Sequence, residues 1–567
     1  MKNLILMLSL LVLFSCKKTE KAAEIRVNQL GYYPNAAKKA IIANTKGTKF
    51  EICTLDKKSL FTGDLSESKD WSVSGEKLKL ADFTVFTEPG TYLLLVDDAP
   101  ESCAFTIKEN LYQTAFKAAL KNYYYIRASK NLDEKYAGKW NRKMGHPDTL
   151  CYFHPSANRG EGQMSSPGGW YDAGDCNKYI VNAGVTVGTL LNFFEMYPDF
   201  VTDEYSNIPE SGNGLSDLLD EVKYELDWVL TMQAPDGSSH FKLSSKGFTG
   251  FIMPEDDTTS RFVVGKSTAS TLNFSAMTAQ ASRLYKDYHP EFAQKCLKAS
   301  EKAWNWAFAN PNIVFKNPSD IVTGEYGDST FTEEFWWAAA ELYLATSKPG
   351  YLEYLTTNEP YVELSIGESW RKFIGNLGSF SLLLNENKVP AELIENIKSN
   401  LLSLANQLII KMNMIPYHIA IDEFVWGSNS DIQNSAIVFA YAYKISNDKQ
   451  YLDAIVETMD YIFGKNATGF SFMTGFGSKT PMNIHNRPSA ADGIDEPVPG
   501  FIAGGPNNNR EDDISKSEWG VEYPIKFPAK SYVDLQGSYA SNETCINWNA
   551  PAVFVLGFLE ANADKLK

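Results

Sequence analysis

The chain has 567 residues, of which 44% are hydrophobic and 22% charged, and its net charge is −16. This length exceeds one ordinary compact domain, so we expect either more than one unit or a large toroid or barrel. The acidic balance argues against nucleic acid as a partner, because phosphate binding needs a basic surface.

The first sixteen residues have the pattern of a secretory signal peptide. Lys2 precedes an apolar run over residues 4–14, which is too short to span a bilayer and is followed by Ser15 and Cys16. This ending resembles a lipoprotein signal in which Cys16 becomes the lipidated first residue. We therefore expect an exported lipoprotein of a Gram-negative bacterium, in the periplasm or the outer membrane. The membrane contact is made only by the lipid, and the protein is expected to be a monomer.

Six further cysteines are spread widely along the chain. Their irregular spacing does not resemble a disulfide framework, although an oxidising compartment permits disulfides. We expect buried free thiols, with Cys53 and Cys103 as the pair to check. The six are Cys53, Cys103, Cys151, Cys176, Cys296 and Cys545.

Residues 24–108 alternate between short apolar runs and turn residues. The pattern predicts a small β-sandwich of roughly immunoglobulin size, about 100 residues. The clearest strand candidates are residues 25–27, 39–42, 50–52 and 91–96.

Residues 110–567 change to helical periodicity and keep it. Eleven amphipathic segments separated by Gly- and Pro-rich loops, with no second β region, predict a mainly α fold. The expected architecture is a toroid of paired helices, with functional loops at one end. The segments lie near residues 112–130, 179–196, 218–230, 270–286, 291–308, 332–346, 367–384, 391–411, 433–445, 449–463 and 549–563.

The first candidate motif is a glycine-rich loop that carries two carboxylates, at residues 168–175 (Gly-Gly-Trp-Tyr-Asp-Ala-Gly-Asp). Asp172 and Asp175 precede the helix expected near Tyr179, and such a loop can aim both carboxylates at one water. Two other interpretations stay open here: Asp175 as a helix N-cap, or a calcium loop.

The second motif, at residues 534–549, contains Glu543 among Tyr539, Ile546 and Trp548. Apolar neighbours disfavour a carboxylate and raise its pKa, as a general acid requires. The alternative interpretation is a solvated glutamate at the start of a helix.

The third motif, at residues 474–488, places His485 and Arg487 in alternation in an extended loop. Both side chains are candidates for contact with one ligand, and a structural histidine is the alternative. The 12 tryptophans suit a carbohydrate cleft, because sugar faces stack on aromatic rings, although a large core also uses aromatic residues.

In this order the three motifs resemble glycoside hydrolase family 9, the cellulase family with an (α/α)6 barrel. Residues 26–32 resemble the immunoglobulin-like module that precedes the barrel in one branch of the family. The resemblance therefore covers residue 24 to the end of the chain. It extends to residues 217–221, 232–233, 324–328, 336–343, 426–429 and 499–506.

The resemblance implies an inverting hydrolase, in which acid and base carboxylates stand about 6.5–9.5 Å apart to leave room for a water. Asp175 matches the base and Asp172 the residue that helps to hold the water, and both are expected to stay ionised. Glu543 matches the acid that protonates the leaving oxygen. His485 and Arg487 match a motif that binds sugar hydroxyls.

Other residues follow the family pattern less closely. Tyr539 and Trp426 are expected sugar contacts. Cys176 and Asn177 stand where many members have Tyr-Gly, and Asn486 stands where many have a second histidine. These departures leave room for a change in how the substrate is seated.

No cofactor is required by the resemblance, but it implies two metal sites to consider. Ser329, Glu333 and Glu334 fall where some relatives coordinate calcium, and acidic residues favoured at a helix N-terminus are the alternative. For the zinc site of some relatives, Ala128 replaces the first expected cysteine, and we expect no zinc. The remaining potential ligands stand at altered spacing: His146, Cys151 and His154.

The sequence therefore predicts an endoglucanase-like enzyme for β-1,4-glucan or cello-oligosaccharides. The alternatives are the same family acting on xyloglucan, mixed-linkage glucan, glucomannan or amino-sugar oligosaccharides, exo action, or a glycan-binding protein without turnover. The lipid anchor and the absence of a recognisable cellulose-binding module favour soluble chains over crystalline cellulose.

Overall fold

A computed structural model describes residues 21–358, 363–509, 512, 519–524 and 526–567. The predicted signal peptide and Cys16 lie outside the described residues. A β-sandwich comes first and a helical barrel follows. No helix in the described ranges has the length and apolar character needed to cross a membrane.

The β-sandwich consists of two four-stranded sheets, with the orders β1-β2-β6-β5 and β4-β3-β7-β8. In β3, Phe50 and Ile52 point into the sandwich core, as the predicted alternation requires. The strands are β1 (Glu24–Arg26), β2 (Lys39–Ala43), β3 (Lys49–Cys53), β4 (Ser59–Asp64), β5 (Lys69–Trp71), β6 (Glu76–Asp82), β7 (Gly90–Leu95) and β8 (Phe105–Ile107).

Strand β2 is apolar on both faces because it lies between two cores. Ala40 and Ile42 belong to the sandwich core, whereas Ile41 and Ala43 pack into the core of the barrel. A strand covered on both faces needs no polar side, so Lys39 is followed by four apolar residues.

The barrel helices occupy an inner and an outer ring. The helices are α1 (Gln113–Tyr125), α2 (Glu134–Ala137), α3 (Ile180–Met196), α4 (Asp217–Thr231), α5 (Thr268–Leu284), α6 (Pro290–Ala309), α7 (Thr332–Thr346), α8 (Pro349–Asn358), α9 (Ile374–Leu384), α10 (Ala391–Met414), α11 (Ser428–Ser446), α12 (Lys449–Ile462), α13 (Arg487–Ala491), α14 (Tyr539–Asn542) and α15 (Ile546–Ala561).

Burial separates the two rings. Helices α3, α5, α7, α9, α11 and α15 are buried around most of their circumference and form the inner ring. Outer helices such as α6 bury one stripe, at Ala293, Cys296, Ser300 and Ala303. Helices α1, α4, α6, α8, α10 and α12 complete the predicted (α/α)6 arrangement among the described residues.

The expectation of eleven helices with no second β region is wrong on two counts. Four helices of the described chain are missed: the short α2, α13 and α14, and α8, which is opened by Pro349 and Gly350, residues typical of a turn. A five-stranded sheet within the helical domain is missed because its strands have only two to six residues and little alternation. Its strands are β9 (Cys151–Phe153), β10 (Gln163–Met164), β11 (Lys178–Tyr179), β12 (His240–Ser244) and β13 (Arg261–Lys266).

Polar contacts join the sandwich to the barrel. The Asn28 amide donates to the Asp460 carboxylate (2.9 Å) and to the Tyr112 hydroxyl oxygen (2.7 Å). Lys39 forms an ion pair with Glu457 at 2.5 Å.

The six cysteines of the described chain are all free thiols, including the Cys53 and Cys103 pair.

Candidate active site

Two glycines shape the entrance of the Asp172–Asp175 loop. Gly168 and Gly169 have φ angles of +83° and +76°, a region that side chains other than glycine rarely adopt. A Cβ on Gly169 would lie 2.8 Å from the Trp228 ring, so the loop packs tightly against α4. The N-cap of α3 is Tyr179, which excludes the interpretation of Asp175 as a helix cap.

Asp175 lines the largely apolar cavity at the centre of this region and is 7% exposed. Asn177 donates to both of its carboxylate oxygens, from the backbone N–H at 3.2 Å and from the side-chain amide at 2.7 Å. The Tyr179 hydroxyl lies 3.4 Å from Oδ2. These donors hold the Asp175 carboxylate in one orientation at the cavity wall.

Asp172 is 1% exposed and lies deeper in the same loop. The Asn182 amide donates to both of its oxygens (2.9 and 3.0 Å), and the Tyr326 hydroxyl donates to Oδ2 (2.8 Å). Burial, and then the negative charge of Asp175, nevertheless raise the pKa of Asp172 to about 8. The expectation that both aspartates stay ionised is therefore wrong for Asp172 at neutral pH.

Glu543 occupies the turn between α14 and α15, and its side chain is 12% exposed. The Gly174 backbone N–H donates to Oε1 at 3.1 Å, which ties Glu543 to the aspartate loop. Burial, followed by the charge of Asp175, raises the pKa of Glu543 well above its usual value. The interpretation as a solvated helix-start residue is therefore wrong, and the group is suited to hold a proton.

His485 pairs with Glu543 through a parallel backbone bridge, which brings the third motif to the second. Its Nδ1 bonds the Gln536 carbonyl, so Nδ1 carries the hydrogen and Nε2 is an acceptor. Burial, and the charge of Arg487, lower the pKa of His485 to about 4. The imidazole is therefore neutral near pH 7, with Nε2 3.9 Å from Glu543 Oε1.

Arg487 is 6% exposed and joins two loops. Its Nη1 donates to the Gly174 carbonyl at 2.6 Å, and its Nε donates to the Thr249 carbonyl at 3.0 Å. Its guanidinium also lies within 6 Å of the ring centroids of Phe248 and Phe251. Arg487 thus fixes the aspartate loop against an aromatic loop.

The cavity between Asp175 and Glu543 has a volume of about 350 Å³. Trp426 is 41% exposed on its wall, and Tyr539 links Trp426 to His485 with ring centroids 5.6 and 5.9 Å apart. A neighbouring cavity of about 510 Å³ shares three tryptophans with it. The shared residues are Trp370, Trp426 and Trp548.

Sequence reasoning did not identify several residues of the site as functional. Tyr326, which bonds Asp172, lies in residues 324–328, a segment noted only for its resemblance to the family. Asn177 departs from the family pattern, and yet it is the main partner of Asp175. Phe248 and Trp370 carry no motif that distinguishes them from core aromatics.

Of the calcium candidates, Glu333 and Glu334 lie in the first turn of α7, and Ser329 precedes that helix. Glu334 is fully buried, and neither of its carboxylate oxygens has a hydrogen-bond partner. One oxygen of Asp328 and one of Glu333 are also buried without a partner, and burial together with Asp328 raises the pKa of Glu334. Unpartnered buried carboxylate oxygens suit a hard cation. Across the described residues, no three His, Cys, Asp or Glu side chains form a metal site by themselves.

The three potential zinc ligands have other partners. His146 bonds the Tyr171 hydroxyl at 2.8 Å and faces Asp257 at 3.2 Å. His154 bonds Ser156 and Asp320, and Cys151 points to the Asp148 carbonyl at 3.3 Å.

Comparisons with known proteins match both parts of the chain. Residues 112–556 match the model for glycosyl hydrolase family 9, and residues 20–101 match the cellulase N-terminal ig-like domain. A xyloglucan-specific endo-beta-1,4-glucanase of Bacteroides ovatus is 39% identical over 95% of this chain and 94% of its own length. Endoglucanase D of Acetivibrio thermocellus is 36% identical over 96% of this chain and 84% of its own length.

Solved structures agree with the sequence matches. The structure of a Bacteroides ovatus GH9 protein superposes with a TM-score of 0.87 at 38% identity, covering 95% of this chain and 99% of its own. The predicted family and fold are thereby confirmed. The chain belongs to glycosyl hydrolase family 9 and is an enzyme that hydrolyses glycosidic bonds.

Proposed function

We propose that the protein is an inverting endo-β-1,4-glucanase that acts on soluble glucan chains, with Asp175 as general base and Glu543 as general acid. The observation that carries the proposal is the contrast between two carboxyl groups on one cavity. Asp175 receives two hydrogen bonds from Asn177, whereas the pKa of Glu543 is raised by burial. The endoglucanase names of the relatives support the substrate class.

The proposed reaction gives each of the two carboxyl groups one step. Asp175 removes a proton from water, whose oxygen attacks the anomeric carbon from the face opposite the leaving oxygen. Glu543 delivers its proton to that oxygen as the glycosidic bond breaks, so the anomeric centre inverts. Asp172 helps to hold the water, and neutral His485 accepts a hydrogen bond from a sugar hydroxyl at Nε2.

Product stereochemistry tests this proposal. Proton NMR of freshly hydrolysed cello-oligosaccharides should show the α-anomer first, followed by mutarotation. Endo action should lower the viscosity of carboxymethylcellulose well before reducing ends accumulate. Initial β-anomer would contradict the inverting mechanism, and binding without turnover on every β-glucan would favour the glycan-binding alternative.

Xyloglucan is a second candidate substrate, because the cavity of about 510 Å³ opens beside the cleft. Its lining includes Asp431 and Glu368, whose carboxyl groups suit sugar hydroxyls, next to Trp426. A side cavity of this kind offers room for a branch on the glucan backbone. A kcat/KM at least tenfold higher on xyloglucan than on unbranched soluble glucan would favour this candidate, and the reverse ratio would exclude it.

A structural calcium ion is a further proposal, supported by the unpartnered oxygens of Asp328, Glu333 and Glu334. Glu333 and Glu334, with Ser329, would hold the ion beside the first turn of α7. Chelation should lower Tm, and added calcium should restore it. Glu334→Gln, which cannot supply the charge, should abolish that calcium dependence.

Export and lipid anchoring are proposed on the sequence of residues 1–16, with Cys16 as the lipidated residue. Labelled palmitate should be incorporated into the wild-type protein in cells and not into Cys16→Ser. Incorporation into that variant would contradict the anchor assignment.

A further inference from the structure

Asn177 is held in one orientation by Ser245, which follows β12, and by Arg261 on β13. Its amide oxygen accepts the Ser245 backbone N–H at 3.0 Å and Arg261 Nη1 at 3.2 Å. Because two donors occupy the oxygen, the nitrogen must face the other way, towards Asp175 Oδ2 at 2.7 Å. Asn177 is itself 2% exposed, so no solvent competes for these bonds.

Arg261 is fixed in turn by a buried ion cluster. Its Nε pairs with Asp148 at 3.1 Å, and Lys178 pairs with the other oxygen of Asp148 at 2.8 Å. All three side chains are at most 6% exposed. The cluster joins Lys178, which opens β11 directly after Asn177, to Arg261, which opens β13.

We propose that Asn177 is a positioning residue for the general base, through which the Asp148–Lys178–Arg261 cluster fixes the carboxylate of Asp175 in the orientation that activates water. The inference rests on the proposed role of Asp175. The amide does not touch substrate. It sets the rotation of the Asp175 carboxylate, and the cluster keeps the amide from turning.

The geometry predicts different results for three substitutions. Asn177→Asp preserves the size and the bonds from Ser245 and Arg261, but an ionised aspartate donates nothing to Asp175 and places a like charge beside it. Asn177→Ala removes the bond without adding charge. Arg261→Lys keeps the charge beside Asp148 but lacks the planar guanidinium that reaches Asn177.

Steady-state kinetics on a soluble glucan test the proposal. Asn177→Ala should lower kcat by about 100-fold with KM within threefold of the wild-type value, because misorientation of a reacting group acts on the chemical step. Asn177→Asp should lose more than Asn177→Ala, and Arg261→Lys should lose less. Binding of cellotetraose, measured by calorimetry, should be unchanged in all three variants.

A matched control separates positioning from folding. Asn466 is equally buried, and its amide bonds the carbonyls of Tyr461 and Phe470. Asn466→Ala should lower Tm while kcat stays within twofold of the wild-type value. If the Asn177 variants behave like this control, the positioning role is wrong.

The outcome also distinguishes this inference from the proposed function. An inactive Asp175→Ala with fully active Asn177 variants overturns only the role of Asn177. An active Asp175→Ala overturns the assignment of the base itself.

Discussion

The loop that carries Asp175 and the turn that carries Glu543 face the same cavity, but they surround their carboxyl groups with different numbers of hydrogen-bond donors. Asp175 receives two hydrogen bonds from Asn177, whereas Glu543 receives one from the Gly174 backbone, at 3.1 Å. Burial is close to equal, at 7% exposure for Asp175 and 12% for the Glu543 side chain. The two carboxyl groups therefore differ mainly in their hydrogen-bond partners, and this difference underlies the proposed assignment of Asp175 as base and Glu543 as acid.

The sharpest test of this contrast uses leaving groups of different quality. Asp175→Ala should lower kcat about 10²- to 10⁴-fold on both a soluble glucan and an activated aryl cellobioside, because both need an activated water. Glu543→Ala should show a comparable loss on the glucan but little on the activated substrate, whose leaving group departs without a proton. Equal losses for Glu543→Ala on both substrates would contradict its role as acid.

Asp172 offers a smaller test, because its pKa of about 8 makes it largely protonated below pH 7. Asp172→Asn resembles the protonated group and should lose about tenfold in kcat at pH 6. Asp172→Ala leaves the position empty and should lose about 100-fold, since the water is less well held. Identical kinetics for the two variants would mean that the group has no part in holding the water.

Trp426 lies outside the contrast between acid and base, and its substitution should separate binding from chemistry. Trp426→Ala should raise KM about tenfold, or about 1.4 kcal/mol, with kcat within threefold of the wild-type value. The expected cause is the loss of an exposed ring on which a sugar stacks. A large fall in kcat with unchanged KM would place Trp426 in the chemical step.

Replacing Glu543 by a residue that cannot ionise should raise the free energy of unfolding, although it should lower activity. The pKa of Glu543 is higher in the folded protein than in the unfolded chain. Its contribution to stability is therefore fully present below its pKa in the unfolded chain, and it is lost as the pH rises through its pKa in the folded protein. Glu543→Gln cannot ionise, so at pH 8 it should be more stable than the wild type by about 0.5–2 kcal/mol. The difference should vanish at pH 3.5, and thermal unfolding at the two pH values measures it.

The sequence predicted those parts of the fold in which each segment shows one clear period. Inner and outer helices alike carry apolar spacing over three turns or more, and α7 (Thr332–Thr346) coincides with its predicted bounds. The sheet β9–β13 was not predictable in the same way, because β12 is buried at all five positions and shows no alternation.

The candidate site shows a similar limit. The motifs contain the residues with proposed chemical roles, Asp172, Asp175, Glu543 and His485, and the fold brings them together. Their partners depend on contacts between distant segments: Tyr326 reaches Asp172 across 154 positions and Arg261 reaches Asn177 across 84. Spacing along one sequence contains no information about such pairs, nor about the high pKa of Asp172, which depends on burial.

Strand β2 contributes side chains to the cores of both domains, so the two domains do not form separate folding units. Ile41 and Ala43 are core residues of the barrel although they belong to the sandwich, so a barrel without the sandwich would expose the apolar surface against which they pack. A chimera that exchanges the N-terminal module must therefore supply a matching outward face on this strand. For protein engineering, the foldable unit therefore begins at the start of the sandwich. Residue 110, where the predicted helical domain begins, lies inside this unit and is not its boundary.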